Sequence, residues 1–182
     1  MVVAVTGGAA SGKSEFAERV CLALGGRVTY VATMQPFGED ARRRIARHLA
    51  LREGKGFATV EQYLNIGALA DAKLAADTLL IECMSNLTAN EMFAPGGASG
   101  NAAERILTGL ERLSEAYSNL VVVTNDIGGD GIAYDEGTIR YIEQLGQLNQ
   151  GLFQLADLGY EVFCGIPTVI SRRSGIDLEV GK

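Results

Sequence analysis

Eight residues near the amino end have the types and the spacing that bind a triphosphate. They are Gly7, Gly8, Ala9, Ala10, Ser11, Gly12, Lys13 and Ser14, and they follow the apolar segment 2–5. In this G-x-x-x-x-G-K-S/T pattern the glycines let backbone N–H groups turn toward an anion, and a helix that begins near Ser14 adds the positive end of its dipole. Lys13 would reach the β- and γ-phosphates, and the Ser14 hydroxyl would ligate Mg²⁺. The alternative is an accidental glycine-rich turn, which the strand before the loop and the helix after it disfavour.

A carboxylate that could hold the same cation stands at Glu82. It closes the apolar run 78–81, which is typical of a buried strand. A charged side chain at that position is costly if it is buried without a partner, so we expect it to face the edge of a sheet where ligands bind. Magnesium bound to a triphosphate needs such a carboxylate, directly or through water. The alternative is a strand end that only meets solvent.

The single histidine, His48, is a candidate nucleophile. It lies four residues after Arg44 and four before Arg52, so the three side chains project from one helix face. Neighbouring positive charges disfavour the imidazolium, which leaves a neutral ring able to attack phosphorus while guanidinium groups hold phosphate oxygens. From spacing alone, a solvated surface histidine on an arginine-rich helix is the more common case.

A third pattern, Asp126-Ile127-Gly128-Gly129, has the D-x-x-G form of a GTPase switch. The pattern is short and common, and no N-K-x-D sequence that would read guanine accompanies it. A nucleotide-dependent switch protein therefore stays a minor alternative to an enzyme.

Apolar strands that alternate with helices position these residues. Their order predicts an α/β, P-loop NTPase-like fold, a mostly parallel sheet with helices on both faces, in a single domain over residues 1–182. Ligands of such sheets bind beyond the carboxyl ends of the strands, which brings the loop, Thr33, Glu82 and the 125–126 pair to one edge. The predicted strands cover 2–5, 28–32, 78–81, 120–124 and 161–164, with a short one at 57–60, and the predicted helices cover 15–24, 39–52, 68–76, 84–93, 102–117 and 136–157.

The composition excludes several classes of protein. A length of 182 residues with 47% hydrophobic residues and a mean hydropathy of +0.13 is enough for one well-packed core. The net charge of −6 and the absence of a basic segment argue against a nucleic-acid partner. We find neither a signal peptide nor an apolar stretch of about 20 residues, so we expect a cytoplasmic protein without a membrane span.

The three cysteines do not form a metal or disulfide pattern. Cys21, Cys83 and Cys164 are far apart and have no C-x-x-C spacing, so we expect them to be small buried apolar residues. One histidine and no cysteine cluster leave few ligands for zinc.

Segments in a fixed order along almost the whole chain resemble the bifunctional adenosylcobinamide kinase/adenosylcobinamide-phosphate guanylyltransferases of cobalamin biosynthesis. This combination of segments is far more specific than the phosphate loop alone. The matching segments are Val5–Ser14, Tyr30–Thr33, Arg44–His48, Leu80–Cys83, Val123–Gly128, the pair Asn149-Gln150 and Gly165–Pro167.

The resemblance implies two reactions. Such enzymes phosphorylate the hydroxyl of the aminopropanol arm of adenosylcobinamide with ATP or GTP, and then transfer GMP from GTP through a histidine phosphoramidate, which gives adenosylcobinamide-GDP. It implies that His48 is the nucleophile and that the family's usual homotrimer has its sites between subunits. It also implies nucleotide contacts at Ala32, Thr33, Met34, Arg52, Glu61 and Glu82, in addition to the loop.

The chain departs from the family pattern on the side expected to meet the corrinoid. The altered positions are Phe57 for Trp, Asp126 for Glu, Ala133-Tyr134 where a Pro is usual, and Arg140, Tyr141 and Glu143 in place of an R-x-F-R-D pattern. The open alternatives are another small-molecule P-loop kinase or a family member that keeps only one of the two activities.

Overall fold

One mixed sheet runs through the protein. The computed structural model describes residues 1–129 and 131–181, except for the side chains of Asp40, Ala41, Arg44, Arg47, His48 and Leu51. In this part of the chain the strands are β1 (Val2–Thr6), β2 (Val28–Ala32), β3 (Ala58–Glu61), β4 (Thr78–Glu82), β5 (Asn119–Val123), β6 (Leu158–Phe163) and β7 (Ile166–Arg172). Their order across the sheet is β3-β2-β4-β5-β1-β6-β7, and every neighbouring pair is parallel except the antiparallel β6 and β7.

Helices connect most of the parallel strands, because a parallel pair needs a crossover connection. They are α1 (Lys13–Leu24), α2 (Gly38–Arg52), α3 (Met84–Phe93), α4 (Ala102–Ala116) and α5 (Glu136–Leu155), with short 3₁₀ turns at Ile66–Ala70 and Ser99–Asn101. None of the helices in the described ranges combines the length and the apolar character that crossing a lipid bilayer demands.

The alternation of side chains along each strand builds two cores, one on each face of the sheet. Within β4, Leu79 and Ile81 face the core formed with α3, α4 and α5, whereas Leu80 faces the core formed with α1. The carboxyl-terminal segment covers the α1 side through Ile176, Leu178 and Val180. The predicted α/β fold with helices on both faces is therefore confirmed.

Strand register brings the predicted residues to one edge. The last residues of four strands, Ala32, Glu61, Glu82 and Val123, are paired in register across β2, β3, β4 and β5. The prediction that the loop, Thr33, Glu82 and the 125–126 pair share the carboxyl edge is therefore confirmed.

The predicted helix over 68–76 is wrong. A single 3₁₀ turn at Ile66–Ala70 is followed by turns, because this segment packs tightly against α4. A Cβ atom added at Gly67 would lie 3.0 Å from Gly109 Cα, and this close approach leaves no room for a regular helix with larger side chains.

The carboxyl-terminal part also differs from the prediction. The long helix ends at Leu155 and β6 begins at Leu158, three residues earlier than predicted, because Gly159 interrupts the apolar run in the sequence. Strand β7 was not predicted, since Pro167 is unfavourable inside a sheet and is tolerated here at the edge. Cys21 is buried as expected, but Cys83 is half-buried, and Cys164 is exposed at the β6–β7 turn.

Candidate functional site

The loop between β1 and α1 has the geometry that its sequence predicts. Gly12 caps α1 with φ 95°, and a Cβ atom at this position would lie 3.2 Å from Gly165 Cα. Gly165 N–H in turn donates to Ser11 O at 2.8 Å, so the β6–β7 turn supports the loop from behind. Lys13 Nζ donates to Gly8 O at 2.8 Å, which holds the ammonium group across the loop. The loop therefore presents backbone N–H groups and one cation on the same side as the start of α1.

Lys13 is buried although it carries a charge. The Lys13 residue is only 8% exposed. Burial lowers the pKa of Lys13, while the negative charge of Glu82 acts in the opposite direction. A phosphate group placed in the loop would add negative charge next to this buried ammonium group.

Glu82 lies beside the loop, and it is not a solvated strand end. It is 7% exposed, and Ser14 Oγ donates a hydrogen bond to its Oε1 atom. Tyr30 OH donates to the Oε2 atom at 3.2 Å. The hydroxyl of Ser14 and the carboxylate of Glu82 therefore form an adjacent pair of hard oxygen donors next to Lys13.

These two donors fit magnesium. In the described ranges no cluster of three or more His, Cys, Asp or Glu side chains could hold a metal by itself. Mg²⁺ in triphosphate sites needs only one or two protein ligands, because phosphate oxygens and water complete its shell. A hydroxyl–carboxylate pair beside a phosphate loop is a donor set of that kind.

Thr33 joins the ends of β2 and β4. Its N–H donates to Glu82 O at 3.1 Å and its Oγ1 atom donates to Cys83 O at 2.9 Å. Its carbonyl accepts from Asn90 Nδ2 at 2.8 Å. Thr33 thus fixes the residues around Glu82, and its predicted contact with nucleotide stays a prediction.

Arg52 is the residue through which α2 reaches this edge of the sheet. Its Cζ atom lies 3.4 Å from the centroid of the Tyr30 ring, and the residue is 7% exposed. Its Nη1 atom has no hydrogen-bond partner among the described residues. A buried guanidinium with an unused donor is suited to an anionic or carbonyl group of a ligand.

A cavity lies between α2 and the carboxyl ends of β2, β3 and β4. Its walls include the predicted contacts Ala32, Met34, Glu61 and Glu82, and Glu61 is held there by a 2.6 Å hydrogen bond from Tyr63 OH. The full lining is Tyr30, Ala32, Met34, Ile45, Leu49, Arg52, Thr59, Glu61, Glu82, Cys83 and Asn86. Apolar walls with a few polar groups are typical of a nucleotide pocket.

The predicted nucleophile falls outside this description. Position 48 belongs to α2, but the His48 side chain lies outside the described residues, as does that of Arg44. The role of His48 therefore stays a prediction.

Sequence reasoning missed a polar network behind Glu82. Thr124 Oγ1 donates to Asn149 Oδ1 at 2.6 Å, and Asn149 Nδ2 donates to Asn125 O at 3.1 Å. Asn125 Nδ2 donates to Ser85 Oγ. The Asn149-Gln150 pair in the long helix was the available signal, but its partner residues follow only from the fold, which brings α5 next to the segment after β5.

Comparisons with known proteins find relatives in one family. A family described as cobinamide kinase / cobinamide phosphate guanyltransferase matches residues 3–170. The bifunctional adenosylcobalamin biosynthesis protein CobP of Pseudomonas aeruginosa is 30% identical over 164 residues, which is 90% of this chain and 93% of CobP. The corresponding protein CobU of Salmonella typhimurium is 31% identical over 179 residues, which is 91% of this chain and 97% of CobU.

A solved structure supports the fold alone. An ATPase from a bacterial type III secretion system matches with a TM-score of 0.54 at 11% sequence identity, and the match covers 88% of this chain and 50% of the ATPase chain. Since the family match covers residues 3–170 and relatives about 30% identical match along nearly their whole length, the chain belongs to the cobinamide kinase / cobinamide phosphate guanyltransferase family.

Proposed function

We propose that this protein phosphorylates adenosylcobinamide with ATP or GTP and then transfers GMP from GTP to the new phosphate. The products are adenosylcobinamide-GDP and pyrophosphate. The observation that carries the proposal is the phosphate loop with Lys13 beside the Ser14–Glu82 pair, in a chain of this family. Both reactions belong to the assembly of the cobalamin nucleotide loop.

In the phosphoryl-transfer reaction the protein binds and orients the triphosphate. The loop amides and Lys13 hold its β- and γ-phosphates, so that the terminal phosphorus faces the substrate hydroxyl. Ser14 and Glu82 would hold Mg²⁺, which neutralises charge on the phosphate oxygens when it is bound. As the hydroxyl oxygen bonds to the γ-phosphorus, the bond to the β–γ bridging oxygen breaks and the nucleoside diphosphate leaves.

In the guanylyl-transfer reaction His48 is the nucleophile. A neutral ring nitrogen bonds to the α-phosphorus of GTP while the bond to the bridging oxygen breaks, and pyrophosphate leaves with that electron pair. The phosphate of adenosylcobinamide phosphate then attacks the same phosphorus and releases the ring. The cavity beside Arg52 would hold the nucleoside during these steps, with contacts from Ala32, Met34 and Glu61.

The remaining properties of the enzyme are proposed from the same resemblance. We assign a homotrimer, and the exposed Phe163 and Ile166 at the β6–β7 turn, next to the loop, are apolar surface that a neighbouring subunit could cover. Triphosphate substrates and three free thiols suit a cytoplasmic enzyme.

Two variants separate the two reactions. After incubation with α-labelled GTP, the wild-type protein should carry an acid-labile, base-stable label, and His48→Ala should carry none. With ATP and adenosylcobinamide, His48→Ala should keep corrinoid-dependent ADP formation, because the phosphoryl transfer does not use the histidine. Lys13→Ala should lose both reactions by about 100-fold or more, since the triphosphate loses its main cation.

Each result has a clear opposite. A label on His48→Ala would remove that histidine as the nucleophile, and full activity in Lys13→Ala would contradict the role of the loop. Nucleotide turnover that ignores the corrinoid would favour a switch protein, and loss of one reaction in the wild type would identify a member with a single activity.

A further inference from the structure

Tyr30 contacts two functional groups with opposite parts of one side chain. It is the third residue of β2 and is 4% exposed. Its hydroxyl meets Glu82, and its ring meets Arg52. The neighbouring strand explains the first contact: Tyr30 pairs with Leu80 of β4, so Glu82, two residues further along, lies on the same face of the sheet.

The hydroxyl orients the carboxylate. Tyr30 OH donates to Oε2 of Glu82 at 3.2 Å, while Ser14 Oγ donates to Oε1. A phenol is protonated at neutral pH, so the Tyr30 hydroxyl is available as a donor. Since each oxygen accepts from a donor, the plane of the carboxylate is held in one orientation toward the Ser14 hydroxyl.

The ring orients the guanidinium. Arg52 Cζ lies 3.4 Å from the ring centroid, which is a close cation–π stack for a residue that is 7% exposed. The backbone of Arg52 is held separately, because Lys55 N–H donates to its carbonyl at 3.1 Å. The stack therefore sets the direction of the side chain toward the cavity.

We infer that Tyr30 is a positioning residue that fixes the cation-binding carboxylate of Glu82 with its hydroxyl and the nucleotide-binding guanidinium of Arg52 with its ring. The inference rests on the nucleotide site of the proposed function. The hydroxyl of Tyr30 thus acts on the cation-binding residue, and its ring acts on the nucleotide-binding residue. Separate substitutions can remove the hydroxyl or the ring.

Tyr30→Phe tests the hydroxyl. Mn²⁺ binding in the presence of GDP, measured by electron paramagnetic resonance, should weaken by about three- to tenfold, the range for loss of one hydrogen bond. The affinity for metal-free GDP should stay within twofold, since the ring and Arg52 remain. Tyr117→Phe is the matched control, because this residue is also buried and its hydroxyl donates to Leu69 O at 2.7 Å on the other face of the sheet. This control should leave Mn²⁺ binding unchanged.

Arg52→Ala tests the ring in three backgrounds. It should weaken GDP binding in wild type and in Tyr30→Phe by the same factor, and by a much smaller factor in Tyr30→Leu, where the stacking partner is already gone. Mn²⁺ affinity in Tyr30→Phe within twofold of the wild type, or an equal Arg52→Ala effect in all three backgrounds, would overturn the inference. These are binding measurements without corrinoid, so they remain decisive even if the guanylyl label is never found and the proposed function fails.

Discussion

Helices α1 and α2 both follow a strand at the carboxyl edge of the sheet, but the protein holds them by different means. In α1 the side chains of Phe16, Ala17, Val20 and Cys21 are buried in the core. Among the described side chains of α2, by contrast, Arg42 and Arg43 are exposed and Leu49 is 52% exposed. The triphosphate loop is thus attached to a packed helix, and the wall of the cavity to a largely exposed one.

The end of α2 is fixed by polar contacts. Arg52 stacks on Tyr30, and Lys55, in the turn after the helix, forms an ion pair with Glu18 of α1. Glu18 is fully buried, so this ion pair ties the turn after α2 to the interior side of α1. The position of the loop therefore depends on the packing of apolar side chains of α1 in the core. The position of α2 depends instead on an ion pair and on the stack of Arg52 on Tyr30.

The largest expected effect is on α1. Phe16→Ala should lower the free energy of unfolding by about 3–5 kcal/mol, because it leaves a cavity beside the Tyr160 ring, whose centroid lies 4.8 Å away. This loss of stability is measured by urea unfolding monitored with circular dichroism. Leu22→Ala on the same helix, at a position 51% exposed, is the control with a small effect. Equal losses in the two variants would mean that α1 is not fixed by its core packing.

The next effect concerns the ion pair. Lys55→Met should destabilise the protein by about 2–3 kcal/mol, because it leaves the buried Glu18 carboxylate without its cation. The value is below that for a fully buried pair, since the Lys55 side chain is 31% exposed. In the double variant Glu18→Leu with Lys55→Met most of the loss should return, because an apolar pair replaces the ionic one. A double variant as unstable as Lys55→Met alone would argue against an unpaired charge as the cause.

Much of the α1 side could be predicted from the sequence because its signals are local. The apolar run before the loop, the glycines and Lys13-Ser14 occupy consecutive positions, and the physics of anion binding fixes their roles. Glu82 could be placed at the same edge because parallel strands share one carboxyl end. Its pairing with Ser14 confirms that argument.

The α2 side could not be predicted in the same way, because its contacts join distant segments. Tyr30 forms a hydrogen bond with Glu82 only because β2 and β4 are neighbours in the sheet. The sequence of β2 does not indicate which strand lies next to it. The Glu18–Lys55 pair likewise joins residues 37 positions apart. Strand β7 escaped prediction for a related reason, since its partner β6 stabilises a segment whose own sequence contains Pro167.

The smallest expected effect on stability concerns α2, the more exposed of the two helices. Leu49→Ala should change the free energy of unfolding by no more than about 0.5 kcal/mol, because the side chain is already 52% exposed. Leu49 nevertheless lines the cavity beside Arg52, so the dissociation constant of GTP should rise about two- to threefold as apolar contact is lost. Calorimetric titration with GTP measures this change, with Leu22→Ala as the control that should leave it unaltered. A destabilisation comparable to that of Phe16→Ala would show instead that α2 is held by packing, and the contrast between the two helices would disappear.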